Sequence, residues 1–282
     1  PSAAACSWLQ ACFGRMAQEG ASDLFLTAGA PPTLKRQGAF VPLPFDPLTP
    51  QQTREAAYSV MRASQIAEFE ARMECDLAYQ TSPTERFRVN VHQQRGQVGM
   101  VVRYVSPQIP SIDDLHLPSV LKQLAFLKNG LILVVGAAGS GKTTTLASML
   151  DYRNEHTSGH ILTVEDPIEY LHAHKKSLVT QREVGLDTLS YDEALRHAMR
   201  EAPNVIMIGE IRDRTSMQHA LHYAEAGHLC VSTLHANNAG QAVQRVLNFF
   251  PEEAHRQLLM DLSLNLKAVV GQRLVPGAQG GW

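Results

Sequence analysis

The chain has 282 residues, 44% of them hydrophobic and 18% charged, with a formal net charge of −2 and a pI near 6.7. Roughly 100 to 200 residues per domain makes that about two domains, each with apolar residues enough for a core. The near-neutral balance lacks the positive field by which proteins hold nucleic acid, and no apolar run approaches the ~20 residues of a membrane span.

In chain order, the opening PSAAACSWLQACFGR carries no basic secretory leader, and its start at Pro1 reads as a processed or engineered form. ACFGRMAQEG predicts a short helix, and ASDLFLTAGAPPTLKRQGAFVPL predicts strands broken at Gly-Ala-Pro-Pro and Gln-Gly turns. TPQQTREAAYSVMRASQIAEFEAR predicts a helical run with Thr49 as its N-cap and Pro50 at its first position. CDLAYQTS, RFRVNVHQQRG and QVGMVVRYV alternate as antiparallel strands joined by hairpin turns do. Together these segments predict an α+β domain over residues 1–105.

SPQIPSIDDLHLP, residues 106–118, contains three prolines and reads as a linker. Over 119–282, LILVV, the helix after it, HILTVED, SYDEALRHAMREA, NVIMIGEI, SMQHALHYAEAG and HLCVSTLHA alternate strand with helix. That order predicts the α/β class: a mostly parallel sheet with helices on both faces, as in RecA-like nucleotide-binding domains. Cys6, Cys12, Cys75 and Cys230 lack C-x-x-C spacing and read as apolar packing residues of a reducing compartment.

The strongest local signal is Gly136-Ala137-Ala138-Gly139-Ser140-Gly141-Lys142-Thr143, which follows the apolar strand LILVV and opens the helix TTTLASML. A sharp glycine turn lets backbone N–H groups approach phosphate oxygens, and the helix points its positive end at the anion. Lys142 can then reach the β- and γ-phosphates, and Thr143 can ligate Mg²⁺. Gly136 to Thr144 are therefore the predicted nucleotide-binding residues.

Acidic residues at neighbouring strand ends complete such a site. VIMIGEIRD ends an apolar strand in Glu210, a Walker B arrangement that makes Glu210 a second metal candidate. ILTVEDPIEY runs into Glu165, Asp166 and Glu169, with Pro167 forcing a turn. HLCVSTLHANNA puts His228 before and His235 after a third strand, where a histidine can sense the γ-phosphate or donate to the transition state. His160, His172 and His174 have no zinc-site spacing. Lys142 alone leaves a transferring phosphoryl group short of positive charge. Arg86, Arg88, Arg95 and Arg103 are candidates for arginine fingers, against the plain alternative of solvated surface arginines. Fingers on the first domain would tie hydrolysis to the arrangement of domains, which is how a hydrolysis cycle becomes motion.

GAAGSGKTTT, TVEDPIEYLH, VIMIGEIRD and GHLCVSTLHANNA resemble, in that order and spacing, the Walker A, Asp box, Walker B and His box of the secretion ATPase superfamily, which powers type IV pili and type II secretion. ASDLFLTAGAPP, RFRVNVHQQRG and the glutamine-arginine turn VTQREVG are similar to its pilus retraction branch, the PilT-like motors. AGAPP, REAPNVIMIGEIRD and LNFFPEE resemble the PilU type of that branch, the accessory retraction ATPases, more than the PilT type. The resemblance covers nearly the whole chain. It implies a PAS-like N-terminal domain, a RecA-like ATPase domain, ATP and Mg²⁺ as ligands, and a homohexameric ring. It further implies Glu169 as the water-activating carboxylate, Glu210 as support for Mg²⁺, His228 and His235 as the His box, and Arg88 and Arg103 as arginines that reach the nucleotide from the N-terminal domain.

The function so implied is an ATP-hydrolysing motor that promotes pilus retraction and twitching motility. Its expected place is the cytoplasm, peripheral at the cytoplasmic face of the inner membrane at the pilus base. Its expected partners are further copies of the chain, an inner-membrane platform protein and a PilT-type retraction ATPase, with no nucleic acid and no membrane span. Family members continue past DLSLNLKAVVGQRLVP into further helices, so a truncated or divergent C-terminus is expected. The tetracysteine zinc insert of assembly and secretion ATPases is absent from the sequence. The alternatives are the PilT motor itself, a nucleotide-binding regulatory ring subunit with little hydrolysis, and, more distantly, a DNA-translocating RecA-like ATPase.

Overall fold

Period-2 alternation places every second side chain of residues 74–105 on one side of a sheet, and the apolar set becomes the core of the first unit. The computed structural model describes residues 3–36, 38–82, 85–105 and 108–275, without the side chains of 3–6. It divides into Pro1–Pro107 and Gln108–Trp282. In the first unit the elements are α1 (Ala3–Gln18), β1 (Asp23–Leu26), β2 (Thr33–Arg36), β3 (Ala39–Pro42), α2 (Pro50–Val60), α3 (Ala63–Arg72), β4 (Glu74–Ser82), β5 (Glu85–Gln94) and β6 (Gln97–Val105). The strands form one antiparallel sheet in the order β3-β2-β1-β6-β5-β4. Phe87, Val89 and Val91 of β5 and Met100 and Val102 of β6 bury against Leu9, Phe13 and Met16 of α1, Ala56 and Ala57 of α2 and Phe69 of α3. This is the α+β unit expected from the alternation.

One local reading differs. Thr49 caps α2 as expected, its side chain accepting from the Gln52 amide with Pro50 in the first turn. The helical run nevertheless breaks after Val60: Met61 is extended, and the Gln65 side chain accepts the Arg62 N–H at 2.9 Å, starting α3 afresh. Arg95 and Gly96 form the tight β5–β6 turn, with φ of 51° and 73°.

The second unit contains α4 (Val120–Ala125), β7 (Gly130–Val135), α5 (Lys142–His156), β8 (Gly159–Glu165), β9 (Ser177–Glu183), α6 (Tyr191–Ala198), β10 (Val205–Glu210), α7 (Arg214–Glu225), β11 (Leu229–Leu234), α8 (Ala239–Asn248), α9 (His255–Asn265) and β12 (Leu266–Gly271). Its six strands run parallel in the order β12-β7-β11-β10-β8-β9. Both faces are covered, which is why the central strands read as unbroken apolar runs. Leu131, Leu133 and Val135 of β7 pack with α6, α7, α8 and α9. Ile132 and Val134 pack with Leu121 of α4 and Leu146, Met149 and Leu150 of α5.

Two readings are refined here, and one strand had no expectation. Ile112 is buried in the α4–α5 core, and the Pro110 carbonyl accepts from Ser148 Oγ at 2.7 Å, so this part of the expected 106–118 linker belongs to the second unit. Gln181 and Arg182 lie within the edge strand β9, so the turn read in VTQREVG starts only at Val184. DLSLNLKAVVGQRLVP contributes β12, a strand with no sequence prediction. Ser106, Pro107 and residues 276–282 lie outside the described residues, as does the Cys6 side chain. Cys12, Cys75 and Cys230 are buried free thiols, in keeping with a packing role.

Phe87 is fully buried, with ring centroids 4.8 Å from Phe13 and 5.4 Å from Tyr104. Phe87→Ala is expected to destabilise the first unit by about 3–5 kcal/mol. Urea unfolding followed by Trp8 fluorescence, in a Trp282→Phe background, measures this, and an unchanged midpoint would contradict the assigned core.

Candidate nucleotide site

β7 ends at Val135, and the chain turns through 136–141 before α5 begins at Lys142. Gly139 and Gly141 have φ of 75° and 85°, the left-handed region that favours glycine. A Cβ at Gly139 would meet nothing within 4 Å, so the loop is open there. Among the described residues Ser140 Oγ is buried with no hydrogen-bond partner. Lys142 is only 7% exposed, and its Nζ donates to the Ala137 carbonyl at 2.9 Å. Burial lowers its pKa, and the negative charge of Glu210 partly opposes that. An unpaired donor, an open glycine turn and a buried cation at a helix N-terminus fit a polyphosphate.

Because β7, β11, β10 and β8 lie side by side in that order, their carboxyl ends share one mouth. A cavity of about 260 Å³ there is lined by Lys142, Thr143, Glu165, Glu169, Glu210 and His235, among others. Glu210 is gripped on both oxygens: His235 Nε2 lies 3.0 Å from Oε1, and Arg212 Nε donates to Oε2 at 2.8 Å. Arg212 also reaches Asp166 at 3.3 Å, tying the β10 mouth to the β8 mouth. Glu165, 5% exposed, accepts from Thr163 Oγ1 at 2.7 Å and Gln181 Nε2 at 3.2 Å. Its other oxygen faces the Glu169 amide at 3.5 Å. Burial pushes the Glu165 carboxyl up to about 7, against the lowering effect of these bonds.

The loop that carries Glu169 joins two parallel strands without a helix, so it needs its own support. Asn154 of α5, fully buried, supplies it: Nδ2 donates to Ala173 O at 2.7 Å, and Oδ1 accepts from the Lys175 and Ser177 amides, each at 3.2 Å. Thr144 Oγ1 and Tyr170 OH, 2.9 Å apart, add a second tie between α5 and this loop.

Gly136 to Thr143, Glu169, Glu210 and His235 thus meet at one sheet edge, with Thr144 turned to Tyr170. His228 does not join them. It precedes β11, where its Nδ1 sits 2.8 Å from the Pro203 carbonyl. A six-residue strand at about 3.3 Å per residue puts roughly 20 Å between it and the mouth. Arg88 and Arg103 are cross-strand partners in the first unit, and Arg103 Nε donates to Asp23 at 2.9 Å. Arg212 and Tyr191, which also line the cavity, were missed in sequence. Gly209 hinted at Tyr191, since a Cβ there would come within 2.9 Å of the tyrosine hydroxyl.

Mg²⁺ fits this donor set, because Thr143 offers a hydroxyl and Glu210 a carboxylate, both hard oxygen ligands beside a phosphate-binding loop. Among the described residues no group of three or more His, Cys, Asp or Glu side chains could hold a metal by itself.

The raised Glu165 carboxyl gives a pH signature. Between the ordinary value of 4.5 and about 7, native Glu165 keeps a proton that the unfolded chain has lost, so its contribution to stability falls as pH rises through that window. Glu165→Gln is expected to remove this slope, shifting the variant-minus-wild-type unfolding free energy by on the order of 3 kcal/mol across the window. Urea titrations at both ends measure it; parallel shifts at the two pH values would show that the carboxyl is not held protonated.

Residues 81–279 match the family model for Type II/IV secretion system protein. The chain is 52% identical over 265 residues to the Type IV pilus ATPase PilU of Pseudomonas aeruginosa, covering 94% of this chain and 69% of that protein. It is 42% identical over 265 residues to the retraction ATPase PilT of the same organism, covering 94% and 77% respectively. A crystal structure of the pilus retraction motor PilT with bound ADP matches with a TM-score of 0.90 and 45% identity, over 95% of this chain and 78% of that one. With the phosphate loop, the strand-end carboxylates and these likenesses in agreement, the chain belongs to the type II/IV secretion ATPase family and, within it, to the PilT/PilU group of type IV pilus retraction ATPases.

Proposed function

We propose that the chain is a PilU-type motor subunit that hydrolyses ATP to promote pilus retraction. The observation that carries this is the convergence of buried Lys142 with Glu165, Glu169, Glu210 and His235 at one strand mouth. Backbone N–H groups of the loop and Lys142 would hold the β- and γ-phosphates. Mg²⁺, held by Thr143 and Glu210, would neutralise phosphate charge. Glu169 would orient a water for attack on the γ-phosphorus and take its proton as the bond to the ADP oxygen breaks. His235, at 3.0 Å from Glu210, would relay the loss of the γ-phosphate to the β10 mouth.

Arg88 and Arg103 would complete the site from the first unit of the same or another copy, so that cleavage depends on how the units are arranged. Support for that role is that both lie on the side of the first sheet away from its core, Arg103 exposed and Arg88 half-buried. His228 has no part in this scheme. The assembly proposed is a homohexamer at the cytoplasmic face of the inner membrane, working on a platform protein at the pilus base and beside a PilT-type ATPase. No helix among the described residues is long and apolar enough to cross a membrane.

Steady-state ATP turnover of the purified protein tests the reading. Lys142→Ala is expected to abolish turnover and nucleotide binding, and Glu210→Ala to cut turnover while sparing much of the binding. Unchanged hydrolysis in both would refute the site. Arg88→Ala and Arg103→Ala are each expected to slow turnover by about a thousandfold. Wild-type rates in both would make them ordinary solvated arginines.

A further inference from the structure

Outside the four motifs, one residue touches the phosphate loop at both ends. Gln272 follows β12, and its backbone N–H donates to Val135 O at 2.8 Å, carrying the β7–β12 pairing past the strand to the start of the loop. Its carbonyl oxygen lies 2.4 Å from where a Cβ on Gly136 would stand. Its side-chain Oε1 accepts from Thr145 Oγ1 at 2.7 Å, and its Nε2 lies 2.9 Å from the Cβ position of Gly141. One residue therefore meets the loop's entry, its exit and the first turn of α5.

These contacts change what two of the glycines are for. Gly136 is not in the left-handed region, so its backbone would accept other residues. What excludes a side chain is the Gln272 carbonyl, together with Ser140 Oγ at 2.5 Å from the same Cβ position. At Gly141 the positive φ and the Gln272 amide act together. A threonine hydroxyl inside a helix ordinarily bonds back to the carbonyl four residues earlier. Thr145 instead points its hydroxyl across 127 residues of sequence to Gln272.

We propose that Gln272 is a positioning residue of the nucleotide site, bracing the two ends of the phosphate loop so that its N–H groups and Lys142 are aligned on the phosphates of ATP before ATP arrives. The proposal rests on the nucleotide-site reading above. Gln272 acts through the loop and through Thr145, with an uncharged carboxamide that gives an acceptor to the hydroxyl without placing negative charge beside the phosphates.

The test compares Gln272→Ala, Thr145→Val and their double variant in the full chain, reading ATP KM, kcat and the melting temperature without nucleotide. Each single variant is expected to raise KM about tenfold and change kcat by less than about threefold. The double variant is expected to be no worse than either single, because both remove the same contact. Thr145→Ser, which keeps the hydroxyl, is expected to restore the wild-type KM. Should Gln272→Ala not fold, Thr145→Val and Thr145→Ser carry the same expectation. A wild-type KM in the single variants, multiplicative effects in the double, or a lowered melting temperature with KM and kcat unchanged would overturn the proposal. Lys142→Ala separates the two readings: retained ATP affinity there defeats the nucleotide site itself, whereas lost affinity there beside a normal Gln272→Ala defeats only the brace.

Discussion

A lysine that is 7% exposed, its ammonium bonded to the Ala137 carbonyl at the first turn of α5, is the charge around which the nucleotide site is organised. Burying a cation is costly unless opposite charge is supplied, and here burial already lowers its pKa. The positive end of α5 lies at the same point and can only make the local potential more positive. The chemistry that balances such a site is a polyanion. Ser140 Oγ, on the same loop, is buried with no hydrogen-bond partner among the described residues.

The sheet turns that local demand into a reaction site. Because β11, β10 and β8 follow β7 in order, the chain leaves them as His235, Glu210 and Glu165 in a row across the mouth. Negative charge close to a phosphate would repel it unless neutralised, and the structure separates the carboxylates by task. Glu210 is held by His235 and Arg212, while the buried Glu165 is raised to about 7 and serves the Glu169 loop through hydrogen bonds. Glu169 stays on a loop pinned by Asn154. Strand ends hold Glu210 and Glu165, and the pinned loop holds Glu169.

The legible part of the molecule was the part encoded by neighbours in sequence. The glycine turn, the apolar runs of β7, β8, β10 and β11, and the carboxylates immediately after them are local patterns, and each lies where its spacing placed it. His228 misled although the order was legible: it precedes β11, at the amino end of a parallel strand, whereas the mouth is formed by the carboxyl ends. The break between α2 and α3 was hidden because both halves carry helical periodicity and only the Gln65 side chain marks the restart. Tyr191 and Gln272 had no local signal, since their contacts join segments far apart in the chain, whereas Arg212 stands two residues from the Glu210 it holds and was legible in VIMIGEIRD. The edge strands β9 and β12, paired on one side only, show weaker apolar patterning than central strands. The arginines of β5 and β6 lie in a separate unit, and the role proposed for them is argued from family likeness and charge.

If a buried cation awaiting polyphosphate is the organising feature, affinity must follow phosphate number and not the base. Calorimetric titration with ATP, ADP, AMP and adenosine in the presence of Mg²⁺ measures this directly. ATP and ADP are expected to bind, with AMP and adenosine weaker by about a hundredfold or more. Equal affinity for adenosine and ATP would mean that the loop around Lys142 is not the handle by which the protein holds its ligand.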